Sequence, residues 1–157
     1  MFGAALLSHA GLASGQEGKP PEPAPSQTWT LNCSGAAAQS ELACTLSQVL
    51  IMKEGGMRVL TAVVAKRDGK LVLNLGLPHG LNLPKGVDVW IDEAARQNYP
   101  IVTADQKGSY AMITLDDALI GALKKGNLLN VAVTAHTGNE IILQLSLTGF
   151  STGFSRL

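Results

Sequence analysis

Hydrophobic and polar residues alternate along many short stretches of this chain, and Gly, Pro and Asn separate the stretches. A period of two is typical of β-strands with one buried face, and many short strands joined by turns favour an antiparallel β-sandwich or barrel. The pattern predicts strands at residues 27–33, 42–53, 57–66, 70–75, 87–92, 98–103, 110–114, 128–134 and 140–147. We therefore expect an all-β fold.

The last of these stretches shows the alternation most clearly. Its aliphatic residues at alternate positions are expected to face the core: Ile141, Leu143, Leu145 and Leu147. Polar Glu140, Gln144 and Ser146 fall on the opposite face. Such a strand has one buried and one solvated side, as antiparallel strands commonly do.

One segment breaks the strand pattern, because leucine recurs every fourth position in residues 115–126. Asp116 and Asp117 lie in its first turn, bases lie in its last turn, and Gly126 follows. These charges suit a helix dipole, and glycine can end a helix in the left-handed conformation. We predict a short amphipathic helix that covers an open end or edge of the sandwich, with partner binding as the alternative.

The first 26 residues differ in composition from the rest. Residues 1–13 are apolar and small, like part of a secretory signal, although no Lys or Arg precedes them, as in a truncated leader. Residues 14–26 are rich in proline and are expected to form an extended, disordered linker. One folded domain should occupy residues 27–157, and the leader predicts a periplasmic or secreted protein. A cytosolic protein with a frayed N-terminal tail is the alternative.

The two cysteines of the chain, Cys33 and Cys44, favour the same compartment. Alternation places Cys33 on the face of Trp29 and Leu31, and Cys44 on the face of Leu46, so both thiols are expected to point toward one core. A disulfide closing the short loop between them would stabilise the fold by roughly 3 kcal/mol. Two buried free thiols are the alternative. A zinc site or a redox motif fits the spacing poorly.

Charge and hydropathy exclude several classes of partner. Twelve Lys and Arg balance twelve Asp and Glu, and no basic run with interleaved aromatic residues is present, so nucleic acid is not expected as a partner. The apolar runs fall short of the roughly 20 residues that cross a bilayer, so no membrane span is expected.

Catalytic, metal-binding and cofactor-binding motifs are not recognisable in the sequence. The histidines, His9, His79 and His136, fall in the leader and in turns, without the spacing of metal ligands. No Gly-X-Ser-X-Gly elbow or phosphate-binding glycine loop is present. Asp116 and Asp117 are explained by the helix start rather than by acid catalysis. We expect no enzyme, no metal and no cofactor.

Residues 77–92 form the most distinctive segment, in which two Leu-Pro-X-Gly turns precede an alternating strand. Proline fixes its backbone and glycine permits positive φ, so each unit can redirect the chain. In the strand, Asp88, Trp90 and Asp92 are expected on the face away from the core. They form a candidate contact surface, unless the 98–103 segment or the helix covers Trp90.

With these elements in place, the chain resembles the invasion-associated locus B family of Gram-negative bacteria from about Trp29 to its C-terminus. The resemblance rests on the order of several features: Trp29 followed by Cys33 and Cys44, the 77–92 segment, the 115–126 helix and Leu-Ser-Leu-Thr-Gly-Phe at 145–150. It implies an exported, immunoglobulin-like antiparallel β-sandwich associated with the cell envelope and, in some pathogens, with entry into host cells. Many members carry a second cysteine pair, which here is replaced by Ala104 and Ser109.

Two hypotheses for function follow. The leading one is an exported, non-enzymatic protein that acts through contacts with a protein at the envelope or host surface. The alternative is a periplasmic module that binds a small ligand or glycan, or a hydrolase, using the loops at one end of the sandwich. A deep polar cleft with His79 or His136 beside a serine or carboxylate would favour the alternative.

Overall fold

Two antiparallel β-sheets pack face to face in the structure, a computed structural model that describes residues 28–35 and 43–157. In spatial order the six-stranded sheet contains β1 (Thr30–Ser34), β2 (Ala43–Ile51), β3 (Arg58–Arg67), β4 (Lys70–Leu77), β8 (Gly108–Thr114) and β7 (Ile101–Asp105). The four-stranded sheet contains β10 (Glu140–Ser146), β9 (Leu128–Thr134), β5 (Val87–Ile91) and β6 (Gln97–Tyr99). Helices α1 (Asp117–Lys125) and α2 (Phe150–Phe154) complete the described elements, with a 3₁₀ turn at Leu83–Lys85. The predicted β-sandwich is confirmed. The leader, the linker and the loop at residues 36–42 lie outside the described residues.

The core lies between the sheets because alternate residues of each strand point inward. Buried aliphatic side chains come from both sheets, and among the most deeply buried are Leu46, Leu60, Leu75, Val87, Ile113, Leu129 and Leu145. The alternation read from the sequence therefore identifies most of the core. Ile141 departs from the prediction, since its side chain is 42% exposed. It lies near the start of β10, an edge strand, which β9 flanks on one side only in the four-stranded sheet.

One predicted strand, at residues 98–103, is divided into two strands that belong to different sheets. Gln97–Tyr99 pairs with β5 in the four-stranded sheet, whereas Ile101–Asp105 pairs with β8 in the six-stranded sheet. Pro100 separates them. Proline has no N–H to donate to a ladder and has a fixed φ, so the chain leaves one sheet at this point and joins the other.

Helix α1 forms where leucine repeats every four residues, and Leu123 buries against the core. Asp116 is its N-cap, and its Oδ1 accepts a hydrogen bond from the backbone N–H of Leu119 at 2.8 Å. The prediction of a left-handed Gly126 is wrong, since its φ is −75° and its ψ 170°. Glycine is required there for space, because a Cβ would collide with Cγ2 of Ile91.

Helix α2 was not predicted, because five residues, Phe-Ser-Thr-Gly-Phe, are too few to show a helical period. Phe150 is fully buried, and its ring meets that of Trp29 edge to face with 5.0 Å between the centroids. The Trp29 indole Nε1 also donates to the carbonyl of Ser146 at 2.9 Å. Gly153 packs on Leu46, where a Cβ would collide with a methyl group. The helix therefore ties the segment before β1 to the end of β10 and to the core.

The predicted disulfide between Cys33 and Cys44 is present, and the two residues are directly paired across β1 and β2. The pairing places them on the same side of the sheet as Leu31 and Leu46, as the alternation predicted. The expectation that both thiols lie in the core is wrong, however, since Cys33 is exposed and Cys44 only half-buried. The bridge lies beyond the end of the core, on an edge of the six-stranded sheet.

A candidate contact surface on the four-stranded sheet

The strand that carries the candidate surface, β5, alternates as the sequence predicted. Val87, Val89 and Ile91 are buried between the sheets. Asp88 and Trp90 therefore face outward, away from the core, and both are half-buried. β5 is flanked by β9 and β6, but β6 pairs only with Val87–Val89, so Trp90 has Asn130 of β9 on one side and the turn after β5 on the other.

Trp90 is partly covered by an arginine from the turn that follows β5. The guanidinium carbon of Arg96 lies 4.2 Å from the centroid of the Trp90 ring, a cation–π contact. Nη1 of Arg96 is 2.7 Å from Oε1 of Glu140 on β10 and 3.9 Å from Oδ2 of Asp88. The sequence offered the helix and the 98–103 segment as possible covers for Trp90. The residue that covers it, Arg96, belongs to neither. Arg96 thus spans the outer face of the sheet from the β5–β6 turn to β10.

Charges around Arg96 hold it in place. Its hydrogen bond to Glu140 raises the pKa of the Arg96 guanidinium above its ordinary value, with smaller contributions from the charges of Glu140 and Asp88. The side chain therefore stays cationic at every physiological pH. Asp88 has a second partner, since Nδ2 of Asn98 donates to its Oδ1 at 2.7 Å.

Small and polar residues of β9 lie beneath this surface. Ala132 pairs with Asp88 on one side and with Ile142 on the other, and it is 3% exposed although it points to the outer face. Because the side chain of Ala132 is small, it leaves space for the long side chain of Arg96 to cross the sheet toward Glu140. Asn130 is also buried, and its Oδ1 accepts a hydrogen bond from Nε2 of Gln144 at 2.8 Å.

Asp92, the third predicted contact residue, is held by backbone groups of the next strand. Its Oδ1 accepts hydrogen bonds from the N–H of Leu128 at 2.9 Å and of Asn127 at 3.1 Å. Its φ is 49°, a left-handed conformation that aspartate tolerates better than most residues. The carboxylate therefore links the end of β5 to the start of β9. The outward face that Arg96 crosses carries Trp90 in line with Asn130 and Gln144, with Asp88, Ile142 and Glu140 further along it.

Three members of this face, Arg96, Glu140 and Ile142, were not singled out from the sequence. Arg96 lies in a turn, and the other two lie about 45 residues further along the chain, in β10. Only the strand order and register place them on the same outer face as Trp90. No local signal could identify them, because register between distant strands is set by the whole fold.

Of the three histidines, His136 makes turn contacts, and His9 lies outside the described residues. Nδ1 of His136 lies 3.1 Å from the carbonyl of Gly80, and the His136 N–H donates to that carbonyl at 2.8 Å, which joins the first Leu-Pro-X-Gly turn to the β9–β10 turn. His79 is exposed. Within residues 28–35 and 43–157, no three His, Cys, Asp or Glu side chains are grouped as they would be to hold a metal ion. The same residues contain no helix long and apolar enough to cross a membrane.

The outer face of the six-stranded sheet carries a small open cavity of about 150 Å³. It is lined by two bases, an aromatic ring and uncharged residues: Arg58, Thr61, Val63, Asn74, Gly76, Leu77, Pro78, Lys107 and Tyr110. The Tyr110 hydroxyl lies 3.1 Å from Oδ1 of Asp105, which also accepts the N–H of Lys107 at 2.7 Å. These bonds hold the pKa of Asp105 below its ordinary value, the Lys107 bond having the larger effect. Neither His79 nor His136 reaches this cavity.

The fold and its cross-strand bridge define a disulfide-bonded antiparallel β-sandwich. Residues 29–157 match the family model described as invasion associated locus B (IalB) protein. The chain belongs to this family.

Two relatives are invasion protein B homologues of Brucella abortus, from strain 2308 and from biovar 1 strain 9-941. Each is 32% identical over 133 residues, which cover 83% of this chain and 76% of the relative. The crystal structure of invasion associated protein B from Bartonella henselae has the same fold, with a TM-score of 0.71. It is 24% identical, and the match covers 85% of this chain and 92% of that one.

Ala104 and Ser109 occupy the positions at which the resemblance implied a second cysteine pair in other members of the family. The two residues are Cα partners across β7 and β8. Their opposition is the arrangement that a cross-strand disulfide requires, as in the Cys33–Cys44 pair.

Proposed function

We propose that this chain is an exported, non-enzymatic protein that acts through protein contacts at the bacterial envelope or the host surface. The outer face of the four-stranded sheet at Asp88, Trp90 and Arg96, with Asp92 supporting it from the strand end, is the proposed contact surface. The observation that carries the proposal is the Arg96–Trp90 stack on the outer face of this sheet. The names of the family and of its Brucella members link the proposal to invasion.

The chemistry of this stack suits a protein interface. Tryptophan and arginine are the residues most often responsible for binding energy at interfaces, especially near the centre of a patch. Arg96 is already held by Glu140, so little side-chain freedom remains to be lost when a partner covers the pair. The surrounding Asp88 and Glu140 would form the polar rim, and they favour a partner that presents donors or cations.

Export is supported by the disulfide. Cys33 is exposed, so the thiol-reducing systems of a cytosol would have access to the bridge, whereas an oxidising periplasm would maintain it. Mass spectrometry of protein from fractionated native cells would give both the mature N-terminus and the cysteine state. Reduced Cys33 and Cys44 in that protein would contradict export.

The contact surface is tested by comparing the two outward aromatic residues of the sandwich, one on each sheet. Purified wild-type protein, Trp90→Ala and Tyr110→Ala are measured for binding to host cells and to envelope fractions of the native bacterium. We expect Trp90→Ala to weaken binding at least about tenfold, as loss of a central hot-spot residue does, and Tyr110→Ala to bind like wild type. Equal binding by wild type and a folded Trp90→Ala variant, verified by circular dichroism, would remove the assignment.

A second candidate function, ligand binding, is favoured by the cavity on the six-stranded sheet. Arg58 and Lys107 line it beside the Tyr110 ring, and none of the lining residues is acidic. Two bases and an aromatic ring suit a sugar acid, although about 150 Å³ is small beside the roughly 300 Å³ or more of typical ligand sites. NMR titration with glucuronic acid and, as an uncharged control, glucose distinguishes the functions. Shifts near Tyr110 with glucuronic acid alone would favour the ligand module.

A further inference from the structure

We propose that strand β10 is a self-association edge, through which a second copy of this chain pairs antiparallel and joins the two four-stranded sheets into one continuous sheet. This inference does not depend on the proposed contact at Trp90. It rests on the direction of the backbone groups of β10, on the side chains beside them and on the register that they permit.

Hydrogen bonds at both ends of β10 fix which of its residues face the open edge. At its two ends, the carbonyl of Asn139 and the N–H of Leu147 bond toward β9. Backbone groups alternate in direction along an antiparallel strand, so the odd-numbered residues bond to β9 and the even-numbered ones face away. The Ser146 carbonyl agrees with this, since it accepts the Trp29 indole rather than a group of β9. The N–H and C=O groups of Glu140, Ile142 and Gln144 therefore point to the edge.

The side chains of β10 lack the features that normally protect an edge strand. Natural edges carry lysine, proline, a bulge or an inward charge that prevents pairing with another chain. β10 reads Glu-Ile-Ile-Leu-Gln-Leu-Ser, and its one charge, at Glu140, is already paired with Arg96. Ile141 and Ile142 are 42% and 43% exposed. Among the described residues, no strand pairs with this edge of β10, and exposed aliphatic side chains lie beside its backbone groups.

The other described edges are less suited to pairing. β6 has three residues, and β7 has an irregular register between Ile101 and Thr103 and ends in Asp105. β1 carries the disulfide. With seven residues and a regular register to β9, β10 is the longest of the four described edge strands.

The outward-facing groups of β10 permit a second copy to pair in a symmetric register. Pairing centred on Ile142 places Ile142 opposite its counterpart and Glu140 opposite Gln144 of the other chain, so each pair can exchange both backbone hydrogen bonds. It opposes no like charges and brings together the two exposed Ile142 side chains. A register centred on Leu143 would instead pair Glu140 with Ser146 of the other chain. That pairing would require the Ser146 carbonyl, which already accepts a hydrogen bond from Trp29. The open edge therefore complements itself.

The dimer is tested by sedimentation equilibrium of the purified chain over a range of concentrations, with one lysine variant on each sheet. Ile142→Lys places two lysines opposite each other in the paired register, whereas Val102→Lys places a lysine on β7, where Val102 is 53% exposed. We expect wild type to dimerise weakly, as a small interface does, Ile142→Lys to weaken the dimer at least about tenfold, and Val102→Lys to match wild type. A monomeric wild type, or equal loss in both variants, would overturn the proposal.

A cysteine variant tests the register without a charge. The two native cysteines are bonded to each other, so Ile142→Cys adds the sole thiol. A short bismaleimide should link Ile142→Cys into a dimer, since directly opposed Cβ atoms lie about 5 Å apart, but should leave Val102→Cys monomeric. Equal cross-linking of both would count against the edge.

Trp90→Ala separates this inference from the proposed function. It should leave the dimer dissociation constant unchanged even where it abolishes partner binding. Loss of self-association in Trp90→Ala, with Ile142→Lys unaffected, would assign dimerisation to the sheet face and overturn the edge.

Discussion

Single residues in the 77–92 segment show that two turns of the same sequence pattern have different steric demands. Gly80 and Gly86 both have positive φ, of 85° and 68°. Around Gly80 a Cβ would meet only the His136 ring at 3.7 Å, whereas at Gly86 it would collide with the carbonyl of Tyr99. The ψ of Gly86, −153°, also lies in a region that glycine alone adopts readily.

Alanine at these two glycines should therefore have unequal effects. Gly80→Ala is expected to lower the free energy of unfolding by about 1–2 kcal/mol, the usual cost of positive φ for an L-residue. Gly86→Ala should cost about 3 kcal/mol or more, because backbone strain and the collision with the neighbouring strand add to each other. Urea denaturation of both variants measures the difference. Equal losses of unfolding free energy would show that the β5–β6 region can shift to make room for the added Cβ.

Residue roles were the least predictable from sequence. Alternation correctly separated buried Val87 and Val89 from outward Trp90, because burial on a strand depends mainly on local pattern. It could not show that the Asp92 carboxylate bonds to the N–H of Leu128, nor that Arg96 covers Trp90. Both contacts depend on where distant segments meet, which a local pattern does not contain.

Among the elements, β1 depends most on a covalent link. It is a five-residue edge strand, and the chain separates it from β2 by the loop that the Cys33–Cys44 bridge closes. The bridge spans 11 residues, and closing a loop of that size restricts the unfolded chain.

Removing this bridge should destabilise the protein by about 3 kcal/mol. The double variant Cys33→Ser, Cys44→Ser and wild type are unfolded in urea with and without dithiothreitol. Because Cys33 is exposed, the reductant should lower the stability of wild type toward that of the variant and leave the variant unchanged. A wild type that is fully reduced yet equally stable would contradict this.

Element types followed from the sequence better than element boundaries. Nine alternating stretches and one leucine-periodic stretch predicted strands and a helix that the structure contains. The division at Pro100 was missed because proline marks a break but not the sheet to which the chain moves next. Helix α2 was missed because its stability comes from Phe150 in the core rather than from a periodic pattern.

At the scale of the whole molecule, the two sheets form one core that α2 helps to join. Phe150 contacts Trp29, the residue before β1 in the six-stranded sheet, while Trp29 bonds to Ser146 at the end of the four-stranded sheet. The neighbouring Phe154 is only half-buried, and its ring packs against that of Phe150 with 5.5 Å between the centroids. Nζ of Lys124 on α1 lies 4.4 Å from the Phe154 ring centroid. One end of the sandwich thus depends on an aromatic cluster that is linked to both sheets, by the chain from Trp29 to β1 and by the hydrogen bond to the Ser146 carbonyl of β10.

Truncating this cluster should affect the whole fold rather than one strand. Phe150→Ala is expected to lower the free energy of unfolding by about 3–5 kcal/mol, since it leaves a cavity where burial is complete. Phe154→Ala, the matched control on the same helix, should cost roughly half as much, because its ring is partly solvated already. Tryptophan fluorescence and far-ultraviolet circular dichroism should report the same urea midpoint in each variant, as expected for a single cooperative unit. Separate midpoints in Phe150→Ala would show that the sheets unfold independently and that α2 covers the sandwich without joining it.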